Sequence, residues 1–243
     1  MRTGGGRDQC ACARCGQTGN KLSFGFRCRA DKVCILDNSI RMGKCLLTNL
    51  GIFKRVKGKE MKRHWSPVLN EITPLLIQTI LNEYQLSWRG VHGIAHWARV
   101  LENGLRLASH TGAQALVVAL FAVFHDSRRT NESRDPGHGR RGAEFGKILN
   151  GKAFHLSDDY FTLFETACTY HTESLTAGDV TVQTCWDSDR LDLGRVGIIP
   201  DLRYLCTHAA KKPELLSWAY ERSRLQYEPE ICRYWGAADL LKV

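Results

Sequence analysis

The sequence predicts an all-α protein, a compact helical domain over residues 61–243 behind a basic, cysteine-containing and poorly ordered extension over residues 1–60. Three observations lead there. From about residue 66 onward apolar residues recur at helical spacing, whereas residues 1–60 show neither a helical nor a strand period and open on Gly4-Gly5-Gly6. The longest apolar run, Ala115–Phe124, is ten residues, the length of a buried helix and half the roughly 20 residues of a membrane span. Charge and cysteine divide at the same place. Residues 1–64 hold fifteen Lys or Arg against four acids, so the whole-chain net charge of +9 leaves about −2 for the remainder, and six of the ten cysteines fall in the first 45 residues.

The elements follow in order. Ser66 is a suitable N-cap and Pro67 a suitable first helical residue, since the N–H that proline lacks would be unpaired there. That helix is expected to run to about Tyr84. A second covers Val91 to Ser109 and is stopped by Gly112; a third, Gln114 to Asp126, is apolar nearly all round and therefore central. His138 to Asn150 forms a fourth, closed by Gly151. Ser157 with Asp158 and Asp159 opens a fifth that reaches about His171, its acids at the positive end of the dipole. A sixth runs from Val180 to about Leu193, with weaker helices at Leu202–Lys211 and Glu214–Gln226. In the extension, Cys12 and Cys15 have a zinc-knuckle spacing that Cys28 and Cys34 would complete, although their six-residue separation departs from a usual zinc ribbon. A translation start at Met61 is the competing account of that segment.

Chemistry concentrates in polar residues set among apolar ones. His125-Asp126 ends the most hydrophobic helix, where ionisable groups are costly unless paired or bound to a metal. A His-Asp pair alone is weak, because it also serves as a plain helix-end cap. Upstream, His92 and His96 lie four apart on one helical face; downstream come His138, His171 and the acids Asp187, Asp189 and Asp192. Imidazole mixed with carboxylate suits a transition metal such as Mn, Fe, Ni, Co or Zn, whereas Mg or Ca cages are mostly oxygen.

The order His, His-Asp, His, His, Asp, carried by HWARV, FHDSRR, HGRRGAEF, YHTE and DSDRLDLGR, resembles the HD-domain superfamily of helical metal-dependent phosphohydrolases over about residues 70–210. The resemblance implies His96, His125, Asp126 and Asp189 as ligands of one ion. His138 and His171 are similar to the six-ligand version, which holds two divalent ions bridged by the aspartate of the pair. It also implies Asp126 as a catalytic residue. Arg129 and Arg190, with Arg128, are placed by the sequence to receive phosphate oxygens, a solvated face being the blander role. His92 is then pocket lining or a partner of a ligand, Asp187 and Asp192 orient the helix or bond the ligands, and His110, His155 and His208 are surface residues.

Departures narrow the substrate by subtraction. No Gly-Tyr-Pro signature of the cyclic-dinucleotide phosphodiesterases occurs, and Ser127-Arg128-Arg129 stands where alarmone hydrolases place an acidic pair. The expectation is a metal-dependent hydrolase of a nucleotide or other small phosphate ester. Its rivals are an HD-fold diiron oxygenase, a non-catalytic metal- or nucleotide-binding protein, and a nucleic-acid binder acting through the extension. The near-neutral body argues against a duplex-binding face. No secretory signal or membrane span is read in the chain, so a cytoplasmic protein is expected, with a small phosphorylated partner and self-association left open.

Overall fold

The computed structural model describes residues 67–236. The basic extension, its cysteine arrangement and the Met61 start lie outside the described residues. Within them the fold is all-α: a short helical stretch over residues 67–71, then α1 (Pro74–Asn82), α2 (Ile94–Thr111), α3 (Ala115–Phe124), α4 (His138–Leu149), α5 (Asp158–Tyr170), α6 (Val180–Arg190), a 3-10 turn (Leu193–Val196), α7 (Pro213–Arg224) and the single turn α8 (Ile231–Tyr234). No described helix is long and apolar enough to cross a membrane.

Helix α3 is the hub. It packs against α2, α4, α5 and α6, and every residue from Val117 to Phe124 is buried. An all-apolar helix is stable in water only when covered on all sides, and burying each large side chain contributes roughly 1.5–3 kcal/mol. Phe124 sits among Phe145, Phe154 and Phe164, tying α3 to α4 and α5. A second cluster, built from Leu107, Leu191, Leu205 and Leu215, holds α7 to the ends of α2 and α6.

Two glycines matter for the site. Gly112 ends α2 with φ 75, a left-handed value that side chains disfavour, and so turns the chain into α3. Gly139, in the first turn of α4, has no room for a Cβ, which would run into the Cys168 carbonyl and lie 2.7 Å from His171 Nδ1. This absence of a side chain lets α4 approach the end of α5 closely enough to bring His138 to His171.

Three expectations are corrected. The first helix is broken: Thr73 lies outside the helical region at φ −70, ψ 157 and caps α1 by accepting a hydrogen bond from the Leu76 amide. Pro74 is the cause, because its ring disfavours helical geometry in the residue before it and its nitrogen has no hydrogen to donate. Leu202–Lys211 forms turns instead of a helix. There the Asp187 carboxylate accepts from the amides of Cys206 and Thr207 and from the Thr207 hydroxyl at 2.7–2.8 Å, which fixes the backbone in a capped turn. Helix α6 ends at Arg190, and the chain continues as a 3-10 turn.

Candidate metal centre

Five helix ends meet at the C-terminus of α3, and together they supply six polar side chains. His96 lies in the first turn of α2; His125 caps the C-terminus of α3, with Asp126 next. His138 is the first residue of α4, His171 caps the C-terminus of α5, and Asp189 is in the last turn of α6. Helix ends suit this task because their side chains project beyond the backbone cylinder while the helix body stays packed in the core.

The four imidazoles are oriented alike. His125 Nδ1 donates to the Phe121 and Ala122 carbonyls at 3.1 and 3.2 Å, His138 Nδ1 to the Asp135 carbonyl at 2.6 Å, and His171 Nδ1 to the Cys168 carbonyl at 2.7 Å. His96 Nδ1 donates to Asp192 Oδ2 at 2.7 Å. With Nδ1 of each ring facing an acceptor, each Nε2 is turned to the interior, where it offers a lone pair whenever the ring is neutral. These lone pairs face one another: His96 and His125 Nε2 are 3.1 Å apart, and His138 and His171 Nε2 are 2.9 Å apart. Two lone pairs at such separation repel unless a proton or a metal ion lies between them.

Carboxylates complete both pairs. Asp126 Oδ2 is 3.5 Å from His96 Nε2 and 3.7 Å from His125 Nε2; Asp126 Oδ1 is 2.9 Å from His138 Nε2 and 3.7 Å from His171 Nε2. Asp189 Oδ1 lies 3.5 Å from His96 Nε2 and 3.8 Å from His125 Nε2, and it is buried without a hydrogen-bond partner. A metal holds nitrogen and oxygen donors at about 2.0–2.2 Å, which places neighbouring donors roughly 3–3.6 Å apart, so the cluster has the dimensions of a metal site. His96, His125 and Asp189 form one such group and His125, Asp126 and His171 another, so the buried cluster can hold a metal ion or several. The residues fit the cofactor expected from the sequence, and the Asp189 oxygen without a hydrogen bond and the facing imidazole nitrogens are what a cation would satisfy.

A surrounding shell fixes the ligands. His92 Nδ1 lies 2.6 Å from Asp126 Oδ2, and His92, His96 and Asp126 make a third group that could hold a metal ion. Asp192 receives His96 Nδ1 on one oxygen and the Arg99 guanidinium on both, with Arg99 also donating to the Tyr227 carbonyl. Burial works to raise the Asp192 carboxyl, but bonds from His96 and the Arg99 charge hold it below its usual value. Replacing Asp192 by alanine strands the buried Arg99 charge, so we expect a loss of about 3–5 kcal/mol in denaturant unfolding and metal affinity weakened roughly 10–100-fold.

The arginines divide differently from the sequence expectation. Arg129 is at the centre: its Nη1 is 3.3 Å from Asp126 Oδ1 and 3.1 Å from His138 Nε2, while Nη2 is tied to the Ser133 carbonyl. Arg128 points away, to the Glu83 carbonyl and carboxylate. Arg190 donates to the carbonyls of Tyr204 and Glu173, so its guanidinium braces loops. Arg195 instead reaches Asp189, Nη2 to Oδ1 at 3.6 Å. It was missed although it sits in the motif DSDRLDLGR; only the 3-10 turn after α6, invisible to periodicity, carries it back over Asp189. Asp187 bonds the Cys206–Thr207 turn and no ligand. His110, His155 and His208 are exposed, as expected.

Burial pushes His125 down to about 3 from 6.5, against the opposing pull of Asp126 and Asp189. Burial also works against charge on His171, but its bond to Asp126 and the nearby carboxylate charges lift it above 6.5. Below pH 6.5 the unfolded chain takes up a proton at His125 that the folded chain refuses, so stability falls as pH drops from 6.5 toward 3. His171 contributes stability that is complete below 6.5 and is lost only above it, so it does not mask the effect. Chelator-treated protein is therefore expected to unfold at lower denaturant concentration at pH 4.5 than at pH 6.5. Equal midpoints would show that His125 is not held neutral.

Known protein families, curated proteins and solved structures offer no match to this chain.

Proposed function

We propose that residues 67–236 form an HD-type metal-dependent phosphohydrolase acting on a nucleotide or other small phosphate ester. The observation that carries this reading is the Asp126 carboxylate, which turns Oδ2 to the His96–His125 pair and Oδ1 to the His138–His171 pair. His96, His125, Asp126 and Asp189 would hold one divalent transition-metal ion, and Asp126, His138 and His171 a second. Bound there, such ions supply a water acidified toward neutral pH and polarise a phosphoryl oxygen.

The chain's own groups do the rest. His92 and Arg129 hold the Asp126 carboxylate from two sides, fixing the plane in which its oxygens divide between the imidazole pairs. Arg129 brings a planar cation to the centre, suited to an equatorial phosphate oxygen. Arg195 places a second cation beside Asp189. Phe121, stacked on His125 at 4.8 Å, closes the apolar side against bulk water and raises the worth of these charges.

A phosphate-release screen tests the reading. With Mn added and oxygen removed, nucleoside mono-, di- and triphosphates and cyclic nucleotides are offered in turn, and at least one is expected to yield phosphate or a monoester in a chelator-sensitive reaction. Oxygen consumption with a diiron spectrum and no phosphate release would assign the centre to the oxygenase class instead.

A further inference from the structure

Beside the centre lies a cavity of about 490 Å³, within the range of small-molecule sites. Its lining includes the buried ligand His96 and the buried Arg99, together with Arg195. The exposed side chains Arg89, Arg233, Gln226 and Glu228 form its outer part. Four arginines and one carboxylate, Glu228, thus line it, and two of the arginines, Arg99 and Arg195, already pair with Asp192 and Asp189 behind the wall. Arg99 is committed to Asp192, and Arg195 is pinned by the carbonyls of Val91 and Asp192. Arg89 and Arg233 line the same concave surface and form no ion pair with an acid among the described residues.

The cavity is also shaped with care. Arg89 lies over the Trp88 ring, Cζ 4.7 Å from its centroid, which holds the guanidinium at the mouth without consuming its hydrogen-bond donors. The Trp88–Gly93 turn is closed by the Ile94 amide on the Trp88 carbonyl and the Gly93 amide on the Gly90 carbonyl. The other wall includes Gln226, whose left-handed backbone at φ 50 ends α7, with the Tyr227 amide on the Arg222 carbonyl and the Gln226 amide on the Ser223 carbonyl.

We propose that this cavity receives a second phosphate group of the substrate, bound by Arg89 and Arg233, while the reacting phosphate lies at the metal centre beyond His96. The substrate class is accordingly a doubly phosphorylated small molecule whose two phosphates are separated by the length of the cavity. This inference rests on the phosphohydrolase reading and extends it to what the site selects.

The test uses binding, not turnover. Mn-loaded protein under nitrogen is titrated calorimetrically with alkane bisphosphonates of two to six carbons and with the monophosphonates of equal length, whose P–C bonds resist hydrolysis. At least one bisphosphonate is expected to bind about tenfold or more tightly than its monophosphonate, as charge-assisted bonds to a phosphate-like group should give. The advantage should vanish in the double variant Arg89→Gln/Arg233→Gln and survive in Arg89→Lys/Arg233→Lys, with metal content and helical circular dichroism unchanged because both residues are exposed. No advantage at any length, or an advantage that persists in the glutamine variant, overturns the proposal. If the advantage is found but no phosphate ester is hydrolysed, the anion subsite stands and the hydrolase reading falls.

Discussion

Replacing Asp126 by alanine is expected to remove bound metal and turnover together while leaving the helical circular dichroism in place. Its two oxygens face both imidazole pairs, so no other side chain can take over either half of its task. On the proposed phosphohydrolase reading, loss of metal stabilisation of the reacting phosphate would amount to several kcal/mol, on the order of 10³-fold or more in rate. The fold should survive because Asp126 lies beyond the last residue of α3 and contributes nothing to the apolar contacts of that helix. His92 and Arg129 lose a partner, a local cost of about 1–3 kcal/mol. Burial favours the protonated carboxyl of Asp126, yet the bonds from His138, His171 and His92 hold it well below the usual carboxylate range. It is therefore a full negative charge at neutral pH, and Asp126→Asn, which keeps the shape and loses the charge, should fail nearly as badly. Turnover retained by either variant would remove Asp126 from the chemistry.

Replacing His138 or His171 by alanine should have the next largest effect, lowering the metal content from about two ions per chain to about one and reducing turnover without abolishing metal binding. The two halves of the cluster are anchored separately. His96 and His125 depend on Asp192 and on the end of α3, whereas His138 and His171 depend on the carbonyls of Asp135 and Cys168. Loss of an imidazole from the second pair leaves three inward groups, His96, His125 and Asp189, still within mutual reach. Elemental analysis of the variants decides the matter, and an unchanged stoichiometry would mean that the second pair binds no ion of its own.

Much of this site was legible because helix ends announce themselves in sequence. The apolar run before His125 fixed α3 as the hub, and the acids after Ser157 together with the distance to His171 fixed both ends of α5. What resisted was anything decided by tertiary contact. Thr73-Pro74 repeats the cap signal of Ser66-Pro67, but a continuous apolar pattern across it hid the break. Leu202–Lys211 has a helical composition that the Asp187 carboxylate, from nineteen and twenty residues away in sequence, overrides. Arg190 and Arg195 are indistinguishable as residue types near Asp189. Only the turn after α6 decides that the second reaches the carboxylate while the first braces the Tyr204 and Glu173 carbonyls. The anion-binding cavity was equally hidden, since Arg89 and Arg233 are 144 positions apart in the chain.

Anomalous X-ray scattering from crystals grown with Mn examines the metal centre most directly. The expected result is two peaks, one within about 2.5 Å of His96 Nε2, His125 Nε2 and a carboxylate oxygen of Asp126 and Asp189, the other within the same distance of His138 Nε2 and His171 Nε2. Crystals with fully ordered side chains and no anomalous peak at either imidazole pair would contradict it.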